Sequence, residues 1–336
     1  MKALILAKKG ELIRGEAEVP EIRPDELLIR TKAATICTSD LNDIKYNLFG
    51  IQIPMVMGHE GAGIVEKVGA DVNGFSVGDE VCTHPVMPCG KCGSCRRGLF
   101  HLCDDLAHLG LNRSGTFSEY YAIRADRARL KPKNVSFPAA SLAEPVSVCI
   151  EAIERGNVKP GGNVLVIGDG PFGILCARLL KGYNPGRVIV SGHHPFRLKM
   201  SGAVTIDQGE EPDIDQKILE LTGGEGVDTA ILCVGTAAAV ETGVRSLRSR
   251  GTLAVFSAVS PPPSIDLFKV HVKELNICGS CNDDDMLDKA VEFLANQAAD
   301  FEELVTHRLP FDEWERAFYL AEHGKDEAVK VSLVFD

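Results

Sequence analysis

The chain has 336 residues, 45% of them hydrophobic, a net charge of −11 and eleven cysteines. That length exceeds one ordinary domain and points to two cores, while a negative field without any basic block argues against a nucleic-acid partner. No apolar run reaches the roughly 20 residues of a membrane span, and the opening Met1-Lys2-Ala3-Leu4 lacks the long apolar region of a cleavable signal. The expectation is a cytoplasmic protein with reduced thiols and no membrane association.

Residues 2 to 36 alternate apolar and polar positions between turns at Lys9-Gly10 and Arg23-Pro24-Asp25, which predicts a β-rich opening with a strand at Leu27 to Thr31. Two short motifs follow: Cys37-Thr38-Ser39-Asp40 and Met57-Gly58-His59-Glu60-Gly61. An isolated Cys or His is usually a core residue. Together, however, a thiolate, an imidazole and a carboxylate are ligands that zinc accepts where one position stays open for water or substrate. Gly-punctuated strands at Gly61 to Gly69 and Gly78 to Val81 continue the β pattern.

Cys89, Cys92, Cys95 and Cys103 then form a C-x2-C-x2-C-x7-C cluster. Short Gly-containing loops let four thiolates converge, and a filled tetrahedral shell is structural rather than catalytic. The same four thiolates suit an iron-sulfur cluster; disulfides are disfavoured by the reducing compartment. Strand pattern returns over 104 to 131, including Gly115 to Tyr121, and a helical pattern near 147 to 155 marks the first domain boundary.

The β-branched run Val164 to Ile167 leads into Gly168-Asp169-Gly170-Pro171-Phe172-Gly173 and an apolar helix from Ile174 to Leu180. Strand before and helix after is the setting in which such a turn holds a dinucleotide pyrophosphate. The next strand, Arg187 to Ser191, ends in Gly192-His193-His194 with Arg197 nearby, where an Asp or Glu would serve the ribose hydroxyls of NAD. A missing carboxylate removes repulsion of a 2′-phosphate, and imidazoles with a guanidinium supply donors and positive charge. NADP is the expected cofactor, NAD the alternative. Strands at Thr229 to Val234 and Thr252 to Ser257 flank a helix from Ala237 to Leu247. A Pro261-Pro262-Pro263 loop, a last inner strand at Leu275 to Gly279, helices at Met286 to Asn296 and Phe311 to Phe318, and a closing strand Lys330 to Val334 complete the reading. The helix that opens at Arg197 looks short.

In this order, the Cys37 and His59-Glu60 motifs, the cysteine cluster, an isolated Glu144-Pro145 and the Gly-rich turn resemble the zinc-containing medium-chain alcohol and polyol dehydrogenases, of the sorbitol and threonine dehydrogenase kind. The resemblance implies an α/β protein: a GroES-like β-rich catalytic domain over 1–146 and 297–336, and a doubly wound parallel-sheet Rossmann domain over 147–296. It implies two zinc ions, one catalytic on Cys37, His59 and either Glu60 or Glu144, one structural on Cys89, Cys92, Cys95 and Cys103. Asp40 falls where relatives place a carboxylate behind the ligand His, and Ser39 where a hydroxyl passes the proton outward. Thr38 joins Gly168, Gly170, Pro171, Phe172, Gly173, Gly192, His193, His194 and Arg197 in the expected cofactor set. The pattern departs at Thr38 for Gly, Asn42 for His and Glu151 for His, so the outer proton path and the pocket differ from relatives. The implied reaction moves a hydride between a secondary alcohol, such as a polyol, cyclitol or aminocyclitol, and NAD(P), in a homodimer or homotetramer. An amino-alcohol dehydrogenase, or a non-catalytic zinc and dinucleotide sensor, is the alternative.

Overall fold

The computed structural model describes residues 1–336 and divides into two units, Met1–Ser147 with Asp284–Asp336, and Val148–Asp283. The return to the first unit therefore comes at Asp284, earlier than the expected 297. The helix Leu287–Asn296, with Leu287, Ala290 and Leu294 buried, belongs to the first unit. Arg129 donates to the Asp288 carboxylate at 2.5 and 3.0 Å, and Asn134 Nδ2 donates to Ala295 O at 2.9 Å. A 3.6-residue period records that a segment is helical, and not which core its apolar face fills.

The first unit is organised on the strand Glu26–Thr35, whose residues are almost continuously buried. Glu60–Val68, Tyr120–Arg124 and Lys330–Val334 all pair with it antiparallel. Val305–Pro310 lies parallel to Lys330–Val334, and Glu80–Thr83 and Ala128–Leu130 extend the opposite side. Leu4, Leu6, Met57, Phe117, Phe311, Phe318, Val331 and Leu333 form one core, and Leu27, Ile29, Val65, Val81, Tyr121 and Ile123 another. The Phe311 to Phe318 segment is a 3-10 turn, Phe311–Glu313, that runs into the helix Trp314–His323.

In the second unit six strands run parallel in the order Val204–Asp207, Arg187–Gly192, Asn163–Ile167, Val227–Leu232, Leu247–Val255, Asn276–Gly279. Val164, Leu165, Val166 and Ile167 are all buried, as strands covered on both faces require. Asn276–Gly279 is the last strand but lies at the edge, with three of its four residues exposed, rather than inside the sheet as expected. The strand Val204–Asp207 and the helix Ile214–Leu221 had no counterpart in the sequence reading; Val204 and Thr205 are exposed, which leaves the strand too little apolar pattern to read. The helix Pro195–Met200 is short, as its sequence suggested. No helix is long and apolar enough to cross a membrane.

Candidate functional site

Strand register assembles the first donor group. Thr35 pairs with Glu60 on one side and with Ser332 on the other, and Ile36 N donates to Val331 O at 2.9 Å. Cys37, His59, Glu60 and Lys330 are therefore delivered to one end of the sheet. Cys37 is the N-cap of the helix Thr38–Tyr46; its own N–H is taken by Asp40 Oδ2 at 2.9 Å, which ties the ligand loop to the first helical turn. The ligand atoms of Cys37, His59 and Glu60 lie within 4.8 Å of one another, and all three residues are buried.

Asp40 also reaches the ring of His59, with Oδ1 3.1 Å from Nδ1. This partner assigns the proton to Nδ1 and leaves the lone pair of Nε2 for a ligand. Burial disfavours the imidazolium, yet the Asp40 carboxylate raises the His59 pKa well above its ordinary value. Ser39 Oγ stands 3.5 Å from Nε2. His108, whose ring centroid is 5.7 Å from that of His59, was missed by the sequence reading. Burial, reinforced by the charge of His59, lowers its pKa to about 3, and its Nδ1 donates to Leu109 O at 2.6 Å. It is a neutral wall of the site.

Lys330 was also missed as a site residue. Its Nζ is 2.7 Å from the Glu60 carboxylate, and the two side chains are 1% and 0% exposed, which makes this a fully desolvated ion pair. Burial pushes the Glu60 carboxyl up to about 7 against the pull of Lys330, and the nearby Glu144 charge adds to the rise. Glu144, in the first turn of the helix Ala143–Arg155, is buried near this pair but is not one of the three converging donors. The sequence offered only a lysine heading an apolar strand, a pattern that reads as a strand end. Thiolate, imidazole and carboxylate make a donor set that fits zinc.

The second donor group is self-contained. The Sγ atoms of Cys89, Cys92, Cys95 and Cys103 lie within 4.8 Å of one another. Backbone N–H groups point at the sulfurs: Cys95 N to Cys92, Cys89 N and Asp105 N to Cys103, and Lys91 N to Cys89, at 3.3 to 3.5 Å. The N–H groups of Cys95 and Asp104 bring the Cys92 thiol down to about 6. Four convergent sulfurs with preset amide donors fit a closed metal shell.

In the second unit the Gly-rich turn joins the strand Asn163–Ile167 to the helix Pro171–Leu180 at the point where strand order reverses, the crevice in which such sheets bind dinucleotides. A Cβ on Gly173 would lie 1.9 Å from Gly168 O, so helix and strand pack only through glycine there. Gly170 is the N-cap with no side-chain cap, Pro171 fills the first helical position, and a Cβ on Gly170 would meet nothing within 4 Å. These open N–H groups fit a pyrophosphate. Phe172 packs edge-on against Phe256 at 5.3 Å. Arg197 is 8% exposed inside the helix Pro195–Met200, His193 is exposed and His194 half-buried. One premise of the NADP expectation fails: a carboxylate does stand beside Gly192, because Asp169 Oδ2 accepts from His193 N at 2.9 Å and His194 N at 2.6 Å. Thr38 is exposed at the start of its helix in the first unit, and Asn42 is half-buried on the same helix.

Known proteins agree with both units. The family model described as alcohol dehydrogenase GroES-like domain matches residues 23–133, and that described as zinc-binding dehydrogenase matches 171–296. The sorbitol dehydrogenase of Bacillus subtilis is 33% identical, over 99% of this chain and 97% of its own. A zinc-binding dehydrogenase from Sinorhizobium meliloti, bound to NADP, superposes with a TM-score of 0.93 at 25% identity, covering 99% of this chain and 98% of that one. An alcohol dehydrogenase from Escherichia coli CFT073, complexed with NADH, does so with a TM-score of 0.93 at 28% identity, covering 100% and 99%.

Proposed function

The chain belongs to the zinc-containing medium-chain alcohol dehydrogenases and is a zinc- and NAD(P)-dependent alcohol or polyol oxidoreductase; from that premise we propose that its substrate is a small polyhydroxylated secondary alcohol, handled at Cys37, His59 and Glu60. The observation that carries this reading is the convergence of three chemically different, buried donors, with Asp40 fixing the His59 tautomer. Zinc would supply Lewis acidity toward the alcohol oxygen, and the nicotinamide a hydride acceptor. Cys37, His59 and Glu60 would hold the metal, and Lys330 holds the Glu60 carboxyl in place while drawing its proton affinity down against burial. Ser39 would take the hydroxyl proton as it releases its own, and Asn42, which cannot titrate, does not carry that proton further. Cys89, Cys92, Cys95 and Cys103 hold a second, structural zinc, and their need for free thiolates supports a cytoplasmic setting.

We further propose a homo-oligomer assembled through the edge strand Asn276–Gly279. Leu267, Phe268 and Val272 are 72%, 74% and 55% exposed in the same unit, and Ile277 on that strand is 39% exposed. An unpaired strand edge and apolar side chains together suit a second copy of the sheet. Sedimentation should show an assembly that Phe268→Glu weakens; a monomeric wild type refutes it.

A screen of polyols, cyclitols and aminocyclitols, read by nicotinamide absorbance with NAD and with NADP, tests the substrate class. Turnover on at least one polyhydroxylated secondary alcohol is expected. Zinc retained with no hydride transfer across the panel would instead favour a non-catalytic sensor.

A further inference from the structure

In sheets of this kind the second strand ends in the acid that receives the ribose hydroxyls of the cofactor. Here that strand, Arg187–Gly192, ends in a residue with no side chain. Gly192 could not carry one. A Cβ at 192 would lie 2.4 Å from both Cβ and Cγ of Asp169 and 2.6 Å from its Oδ2. The side chain of Asp169, from the middle of Gly168-Asp169-Gly170, occupies the space where an acid at 192 would begin. Its Oδ2 accepts from His193 N at 2.9 Å, from His194 N at 2.6 Å and from His194 Nδ1 at 3.0 Å, while Oδ1 takes no part in this network. The carboxylate has been moved across the turn, not lost.

We propose that Asp169 is the ribose-recognising carboxylate of this protein and makes it select NAD over NADP. The assignment rests on the NAD(P) dehydrogenase reading of the Gly-rich turn. A ribose diol donates hydrogen bonds to a carboxylate, whereas a 2′-phosphate brings about −1.5 to −2 charges against it. Burial alone would favour the neutral acid, but the three donors hold Asp169 below the ordinary carboxylate range, so it stands there as the anion. One of the cations that would welcome a 2′-phosphate is committed elsewhere: His194 gives its Nδ1 to Asp169. Gly192 and Asp169 are thus one device: glycine at the strand end is what lets the acid arrive from the neighbouring turn.

Calorimetric titration of the intact protein with adenosine 5′-monophosphate and with adenosine 2′,5′-bisphosphate tests this without alcohol, hydride transfer or knowledge of the substrate. The wild type should bind the monophosphate more tightly by roughly tenfold or more, the discrimination expected of a site built to hydrogen-bond a hydroxyl. Asp169→Asn keeps an acceptor for the two backbone N–H groups and removes the charge; it should shrink that ratio or reverse it. Tighter wild-type binding of the bisphosphate overturns the proposal, as does an unchanged ratio in a folded Asp169→Asn. If Asp169→Asn does not fold, the wild-type ratio decides alone. Binding of neither nucleotide would sink the dinucleotide reading itself, and this assignment with it.

Discussion

Cys37, His59 and Glu60 come from a loop and a strand end, and are brought together by the register of Glu26–Thr35 with two of its three partner strands. Cys89, Cys92, Cys95 and Cys103 come from one short stretch and hold their geometry with their own backbone N–H groups. The mixed group is buried and leans on charges supplied from elsewhere: Asp40 behind His59, Lys330 behind Glu60. The all-sulfur group takes the hydrogen bonds to its sulfurs from Cys89, Lys91, Cys95 and Asp105 of the same stretch. A shell that is closed and chemically uniform can be built locally, whereas one that must leave a place for substrate needs dissimilar ligands held from several directions. The two groups should therefore fail differently when broken.

The largest effect is expected from Cys37→Ser. A hydroxyl is a poorer zinc ligand at neutral pH, so turnover should vanish while circular dichroism and melting stay near wild type; near-normal activity would remove Cys37 from the metal. Cys95→Ser should do the reverse in kind. Elemental analysis should show loss of one zinc, with a lowered melting temperature and impaired assembly; unchanged Tm with unchanged zinc content would contradict a structural role. Lys330→Met is the smallest of the three in activity terms and sharpens the contrast most. Removing one partner of a buried ion pair costs about 3 to 5 kcal/mol, because the other charge is left uncompensated, and denaturant unfolding should show it. Pairing it with Glu60→Gln should recover part of the loss. No change in stability for Lys330→Met would mean that the cation does not support the mixed group, and the distinction between the two clusters would fall.

Much of the fold was legible. The runs at Val164 to Ile167 and Arg187 to Ser191 read as strands because their β-branched residues are buried on both faces. Glu26–Thr35 was read only in part, since its length depends on three partners and not on its own pattern. The helix Leu287–Asn296 was read as a helix but placed in the other unit. His108 and Lys330 carried no motif at all.

What the amino-acid order determined by itself was chemistry that is local in the chain: the spacing of four cysteines and the glycines of a turn between strand and helix. What only the tertiary structure decided was which distant charges meet. Lys330 finds Glu60 across 270 residues of chain, and Asp169 reaches the end of a strand whose own last residue is glycine. Local spacing is set by covalent geometry and can be read off the sequence. Contacts between remote side chains depend on strand register and helix packing, and those are settled only when the whole core has formed.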